Sequence, residues 1–169
     1  MKKTILICVS LVLGLTAFSQ ANTSVPIYRR FPTIPEFTVF KAPDSTAFTR
    51  NDLKKRKPTV FIIFSPECEH CQHETEALLA DISQFKNTQI VMITYLPYQE
   101  MIQFYKDYKI ADYPEITMAR DTQFFFPVFF KIRNLPSIFV YDKKRQLVTN
   151  FEGSVKVSLI AAALGKTKT

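Results

Sequence analysis

Six consecutive residues in the middle of the chain, Thr59-Val-Phe-Ile-Ile-Phe64, are β-branched or aromatic throughout. A strand with one wet face alternates apolar and polar positions, so an unbroken apolar run implies burial on both faces. The chain must therefore build a central strand covered by helices on each side. Pro66 ends that strand, and a helix is expected to begin near Cys68. Its inward stripe is Cys71, Thr75, Leu78, Ile82 and Phe85, at spacings of four, three, four and three residues.

The rest of the pattern builds outward from this unit. Gln89–Tyr95 reads as a second buried strand, and Tyr98–Lys109 as a helix with Met101, Ile102, Tyr105 and Tyr108 on its apolar face. A short strand is expected at Ile116–Met118, and a short helix at Thr122–Phe130. Pro136–Tyr141 and Gln146–Phe151 read as a hairpin. Ser154 is the expected cap of a last helix that Gly165 ends. Alternating β and α units followed by a hairpin predict an α/β fold with a mixed sheet.

Met1-Lys2-Lys3 precedes an uncharged apolar run from Thr4 to Phe18, with small residues at Ala17, Ser19 and Ala21. This is the order of a secretory signal peptide over 1–21, with cleavage after Ser19 or Ala21. The run is shorter than the roughly 20 residues that span a bilayer, which argues against a permanent anchor. Asn22–Pro43 is proline-rich without helical periodicity and reads as an extended arm, with Phe37–Phe40 offering an edge strand. Residues 44–169 then form one domain, and the protein is expected to be exported to a periplasmic or other extracytoplasmic space.

Cleavage removes Cys8 and leaves only Cys68 and Cys71. A small protein stapled against an oxidising environment would carry several bridges, and a C-x-x-C loop constrains the unfolded chain little. The net charge falls from +7 to about +5 without Lys2 and Lys3. The basic runs Lys54–Lys57 and Lys143–Arg145 sit where turns are expected, as solvated charge and not as a nucleic-acid patch. The run Phe124–Phe130 reads as packing against the sheet, with a docking face for unfolded or membrane-bound partners as the alternative.

The stretch Ser65–Glu74 gathers Cys68, Cys71, both histidines and three glutamates. Structural zinc takes four ligands arranged tetrahedrally. Cys68, His70, Cys71 and His73 are near neighbours on one helix start, where successive side chains diverge by about 100°. No metal site is expected, although copper, with fewer ligands, stays open as an alternative use of the thiols. A dithiol fits better. At a helix N-terminus, Cys68 lies near unpaired N–H groups and the positive helix end, which stabilise a thiolate. Cys71, one turn on, faces the same side and resolves a mixed disulfide held on Cys68. His70 would favour the thiolate, while Glu67 and Glu69 oppose it. Glu74, one turn past Cys71, could carry a proton for the resolving thiol, but spacing alone favours an exposed helix glutamate like Glu76.

With "KPTVFIIFSPECEHCQHE" and "FKIRNLPSIFVYD" in place, the sequence resembles the TlpA/ResA-like branch of the thioredoxin superfamily, bacterial extracytoplasmic thiol–disulfide oxidoreductases. The resemblance runs from about Ile34 to Leu164 and includes "FEG" before the last helix. It implies a thioredoxin-like fold, a central mixed sheet flanked by helices. Cys68 becomes the nucleophile and Cys71 the resolver, and Glu74 gains a proton-shuttle role. Pro136 becomes cis, with the Leu135 backbone pairing to a substrate peptide. Glu67 stands where many relatives carry tryptophan, and Ile62 where thioredoxins proper place a buried acid.

The implied function is disulfide exchange with exported proteins, as a reductase fed by a membrane electron donor, acting as a monomer without a bound cofactor. Disulfide formation is the reverse-direction alternative, and a copper-binding chaperone the non-enzymatic one. A thiol peroxidase is disfavoured because Phe61 occupies the position of the peroxiredoxin proline.

Overall fold

The computed structural model describes residues 25–165. The signal peptide read over residues 1–21 lies outside them. Seven strands form one sheet in the order β2-β1-β5-β4-β3-β6-β7. The strands are β1 (Thr38–Lys41), β2 (Ala47–Thr49), β3 (Thr59–Ile63), β4 (Gln89–Thr94), β5 (Ile116–Arg120), β6 (Ser137–Tyr141) and β7 (Leu147–Glu152). β3, β4 and β5 run parallel; β1, β2, β6 and β7 join through antiparallel pairings. Helices α1 (Ile27–Arg30), α2 (Glu69–Ala80), α3 (Tyr98–Asp107), α4 (Phe125–Phe130) and α5 (Val157–Gly165) cover it.

Every residue of β3 is buried, as its composition requires. Successive side chains of a strand point to opposite faces, and β3 accordingly feeds two cores. Val60, Ile62 and Phe64 join Cys71, Leu78, Phe104 and Ile160 in one core. Phe61 and Ile63 join Tyr28, Phe37, Phe126, Phe130 and Phe139 in the other. The second core is largely aromatic: the Phe130 and Phe139 rings stack with centroids 3.8 Å apart, and Phe126 lies 5.4 Å from Phe61.

Three expectations need correction. The strand expected at a sheet edge near Phe37–Phe40 is β1, which lies inside the sheet between β2 and β5. A turn after β1, in which Asp44 Oδ1 accepts from the Thr46 backbone and hydroxyl, folds the chain back to add β2 as the true edge. The stretch read as an arm thus supplies Tyr28, Ile34, Phe37 and Val39 to the second core, and a boundary at residue 43 falls within the β1–β2 hairpin. Second, the helix expected from Thr122 begins at Phe125, because Asp121 takes the backbone N–H groups of Gln123 and Phe126 (3.1 and 2.8 Å). Third, α5 begins at Val157, and Ser154 does not cap it; its hydroxyl donates to the His70 carbonyl instead.

Asp121 is 1% exposed, so these two hydrogen bonds are made away from water. Removing the carboxylate leaves the N–H groups without acceptors, at about 1–3 kcal/mol. Asp121→Ala is expected to lower unfolding stability by about 2 kcal/mol in urea titration.

Candidate active site

The loop from β3 to α2 determines where the two sulfurs sit. Cys68 is the N-cap of α2 with extended backbone, and its carbonyl accepts the first helical bonds from Cys71 and Gln72. The Gln72 side chain returns to the Pro66 carbonyl at 2.7 Å, fastening the loop to the helix. Cys68 therefore stands at the head of a twelve-residue helix, where N–H groups lack intrahelical acceptors. Its side chain is half-buried, whereas Cys71, one turn deeper, is only 1% exposed in the first core. Both cysteines are free thiols in this structure.

Burial pushes the Cys71 thiol up to about 12, since a thiolate there would be stripped of water. A hydrogen bond to Cys68 and the charge of Glu74 act in the same direction, while a bond to the Ser65 backbone opposes them. Cys71 is thus held as a thiol at neutral pH.

Glu74 is buried, 5% exposed, contrary to a reading from spacing alone. Desolvation raises its carboxyl above the usual range, partly offset by a hydrogen bond from the Val155 backbone. That bond, 2.9 Å from N to Oε2, comes from the loop between β7 and α5. The other oxygen, Oε1, is buried without a partner. Glu74 therefore combines a raised proton affinity, a fixed orientation and one free acceptor beside the buried thiol. Val155 was missed from the sequence; a backbone donor leaves no residue-type signal.

Leu135 and Pro136 lie across from the dithiol. The Leu135–Pro136 peptide is cis, and the Leu135 carbonyl is 3.9 Å from Cys68 Sγ. Pro136 is buried, and its carbonyl accepts from Gly153 at 2.8 Å. Glu67, Glu69 and His70 are all exposed. Glu67 lines a groove of about 460 Å³ with Gln72, Glu76, Phe104 and Tyr108, beside Pro66. Among the described residues, no three His, Cys, Asp or Glu side chains converge as metal ligands.

No protein-family model and no curated protein sequence matches the chain. Solved structures do. DsbF of MTB, determined in mixed oxidised and reduced forms, aligns with TM-score 0.67 and 18% identity, covering 80% of this chain and all of that one. Peroxidoxin BcpB from Mycobacterium tuberculosis aligns with TM-score 0.69 and 16% identity, over 81% of this chain and 96% of that one. A secreted disulfide oxidoreductase of the same organism, homologous to E. coli DsbE, aligns with TM-score 0.63 and 19% identity, over 76% and 96%. The fold expected from the sequence, a thioredoxin-like one, is the fold observed.

The pH dependence of stability follows from the two buried acids. A group whose proton affinity rises on folding stabilises the fold while protonated in both states, and this is lost as pH rises past its unfolded value towards its folded one. For Glu74 the loss starts near the ordinary carboxylate range; for Cys71 it lies between about 9 and about 12. Glu74→Gln is expected to be more stable than the parent at pH 8 and to lose that advantage towards pH 4, by thermal denaturation across the range.

Proposed function

We propose that the protein is an extracytoplasmic thiol–disulfide oxidoreductase that reduces disulfides of exported proteins. Cys68 is the nucleophile, Cys71 the resolver, and Glu74 the carrier that takes the proton of Cys71 to the departing substrate sulfur. The observation that carries this reading is the inequality of the sulfurs: one half-exposed at a helix head, the other buried and held protonated.

The exchange balances in two steps. Cys68 as thiolate attacks a substrate disulfide, forming a bond to one substrate sulfur and releasing the other, which takes a proton from solvent. Cys71 then gives its proton to Glu74 Oε1 and attacks Cys68. The Cys68–Cys71 disulfide forms, and the second substrate sulfur leaves with that proton. The substrate gains two electrons and the protein loses them; a membrane dithiol donor restores the reduced pair. The Leu135 backbone beside Cys68 is suited to hold the substrate chain extended, like an added strand. Glu67, Glu69 and His70 are the proposed tuning residues, and their side chains are exposed to solvent. The secreted disulfide oxidoreductase among the similar structures and the signal-like N-terminus support the compartment.

Trapping distinguishes the roles. Cys71→Ser is expected to accumulate mixed disulfides on Cys68, identified by mass spectrometry from envelope extracts, while Cys68→Ser should lose insulin reduction. Full activity in Cys68→Ser would refute the assignment. Equilibration with glutathione tests direction: a dithiol more oxidising than glutathione would make the protein an oxidase.

Glu74→Gln isolates the proton step. The capture of substrate by Cys68 should be nearly unchanged, while resolution by Cys71 slows on the order of 10²-fold at neutral pH. Stopped-flow measurement should show that deficit shrinking as pH rises and hydroxide takes over the proton.

A further inference from the structure

Six large apolar side chains are strongly exposed among the described residues, and five of them belong to the α1–α4 side of the molecule. Ile27 (45% exposed), Phe124 (49%) and Val128 (65%) border one shallow groove with Phe125 and Phe129. Val25 leads into α1, and Phe31 follows Ile27 by one turn, joined by a backbone bond to its carbonyl. The inward members of the same run, Phe126 and Phe130, fill the aromatic core, so core packing accounts for them and not for Phe124 and Val128.

The rim of this face is basic. Arg29 and Arg30 on α1, with Lys131 and Arg133 after α4, are all exposed. Arg29, Lys131 and Arg133 share one depression with Val25, in which Glu152 is the sole carboxylate. Exposed aromatic and aliphatic side chains flanked on one side by cations match an interface of acyl chains below anionic headgroups. A soluble protein surface with a mixed-charge rim would be a poorer complement.

The parallel register of β3, β4 and β5 brings Phe124 and Cys68 beyond the same, carboxyl, ends of these strands. Among the described residues no helix is long and apolar enough to cross a membrane, so the contact would be interfacial.

We propose that this apolar face and its basic rim dock on the surface of an anionic bilayer. The interaction is independent of the dithiol, so it stands or falls separately from the disulfide chemistry.

Vesicle co-sedimentation tests it. All seven strands and both cores lie between Val25 and Gly165, so a chain starting at Asn22 retains the whole described fold and removes the apolar leader as a source of binding. That protein is expected to sediment with vesicles of phosphatidylcholine and phosphatidylglycerol, and much less with phosphatidylcholine alone. Neutralising Lys131 and Arg133 to Gln should weaken binding about fivefold for each charge, with a matching loss of salt sensitivity. Phe124→Asn with Val128→Ser should weaken it more than tenfold. Asn suits the left-handed backbone of Phe124 (φ 55°), and both positions are exposed, so insulin reduction should be retained. Unchanged binding in the double variant, or no sedimentation with either vesicle, overturns the proposal. A lipid-free dimer abolished by the same two substitutions would also overturn it, assigning the face to a second copy.

Discussion

Removing one sulfur from water while leaving its neighbour at the surface is the constraint on which the site depends. The apolar run of β3 makes this possible. Ile62 and Phe64 line the core into which α2 lowers Cys71, and the turn at Pro66 starts the helix early enough to leave Cys68 at its head. Had the helix begun one turn sooner, both thiols would lie along its body and the N-terminal N–H groups would serve neither. The strand, the turn and the helix start are therefore one device, and the order of their residues sets the chemistry before any side chain near the cysteines is considered.

Two carboxylates are buried among the described residues, and their contrast is informative. Asp121 has both oxygens engaged by backbone N–H groups, which fully repays its removal from water in a structural role. Glu74 has one oxygen engaged and the other bare. A half-satisfied carboxylate is costly, and a structural role would be better served by an apolar residue or a second donor. In the proposed mechanism, the bare oxygen takes the proton of Cys71. The strand leading to the dithiol carries Ile62 and no acid, so the buried carboxylate near the thiols comes from the helix.

The sequence was most legible where burial acts on both sides of an element. β3, β4 and β6 are apolar enough to be read directly, and the dithiol is found by its spacing after the first of them. Legibility failed where an element is held by its neighbours. β1 and β2 are four and three residues long, and their pattern is set by β5 and by an Asp44 turn. Ser154 looks like a helix cap because caps are chosen by residue type, but its partner is a carbonyl 84 residues away in the chain. The burial of Glu74 was equally hidden: α2 is short of apolar residues, and the loop before α5 closes over the carboxylate from outside the helix.

The sheet itself keeps two kinds of interaction apart. Val60 and Ile62 face the layer that holds the dithiol, while Phe61 and Ile63 face the aromatic layer beneath α1 and α4. Side chains on opposite faces of a strand do not touch, so the exposed surface of α4 can vary without repacking the thiols. Connection between the layers runs through the backbone, chiefly at Leu135–Pro136, where the chain leaving α4 enters β6 beside Cys68. Leu135 packs against both cores. The loop 131–136 therefore joins the exposed surface of α4 to a residue that touches both cores and the first cysteine of the dithiol.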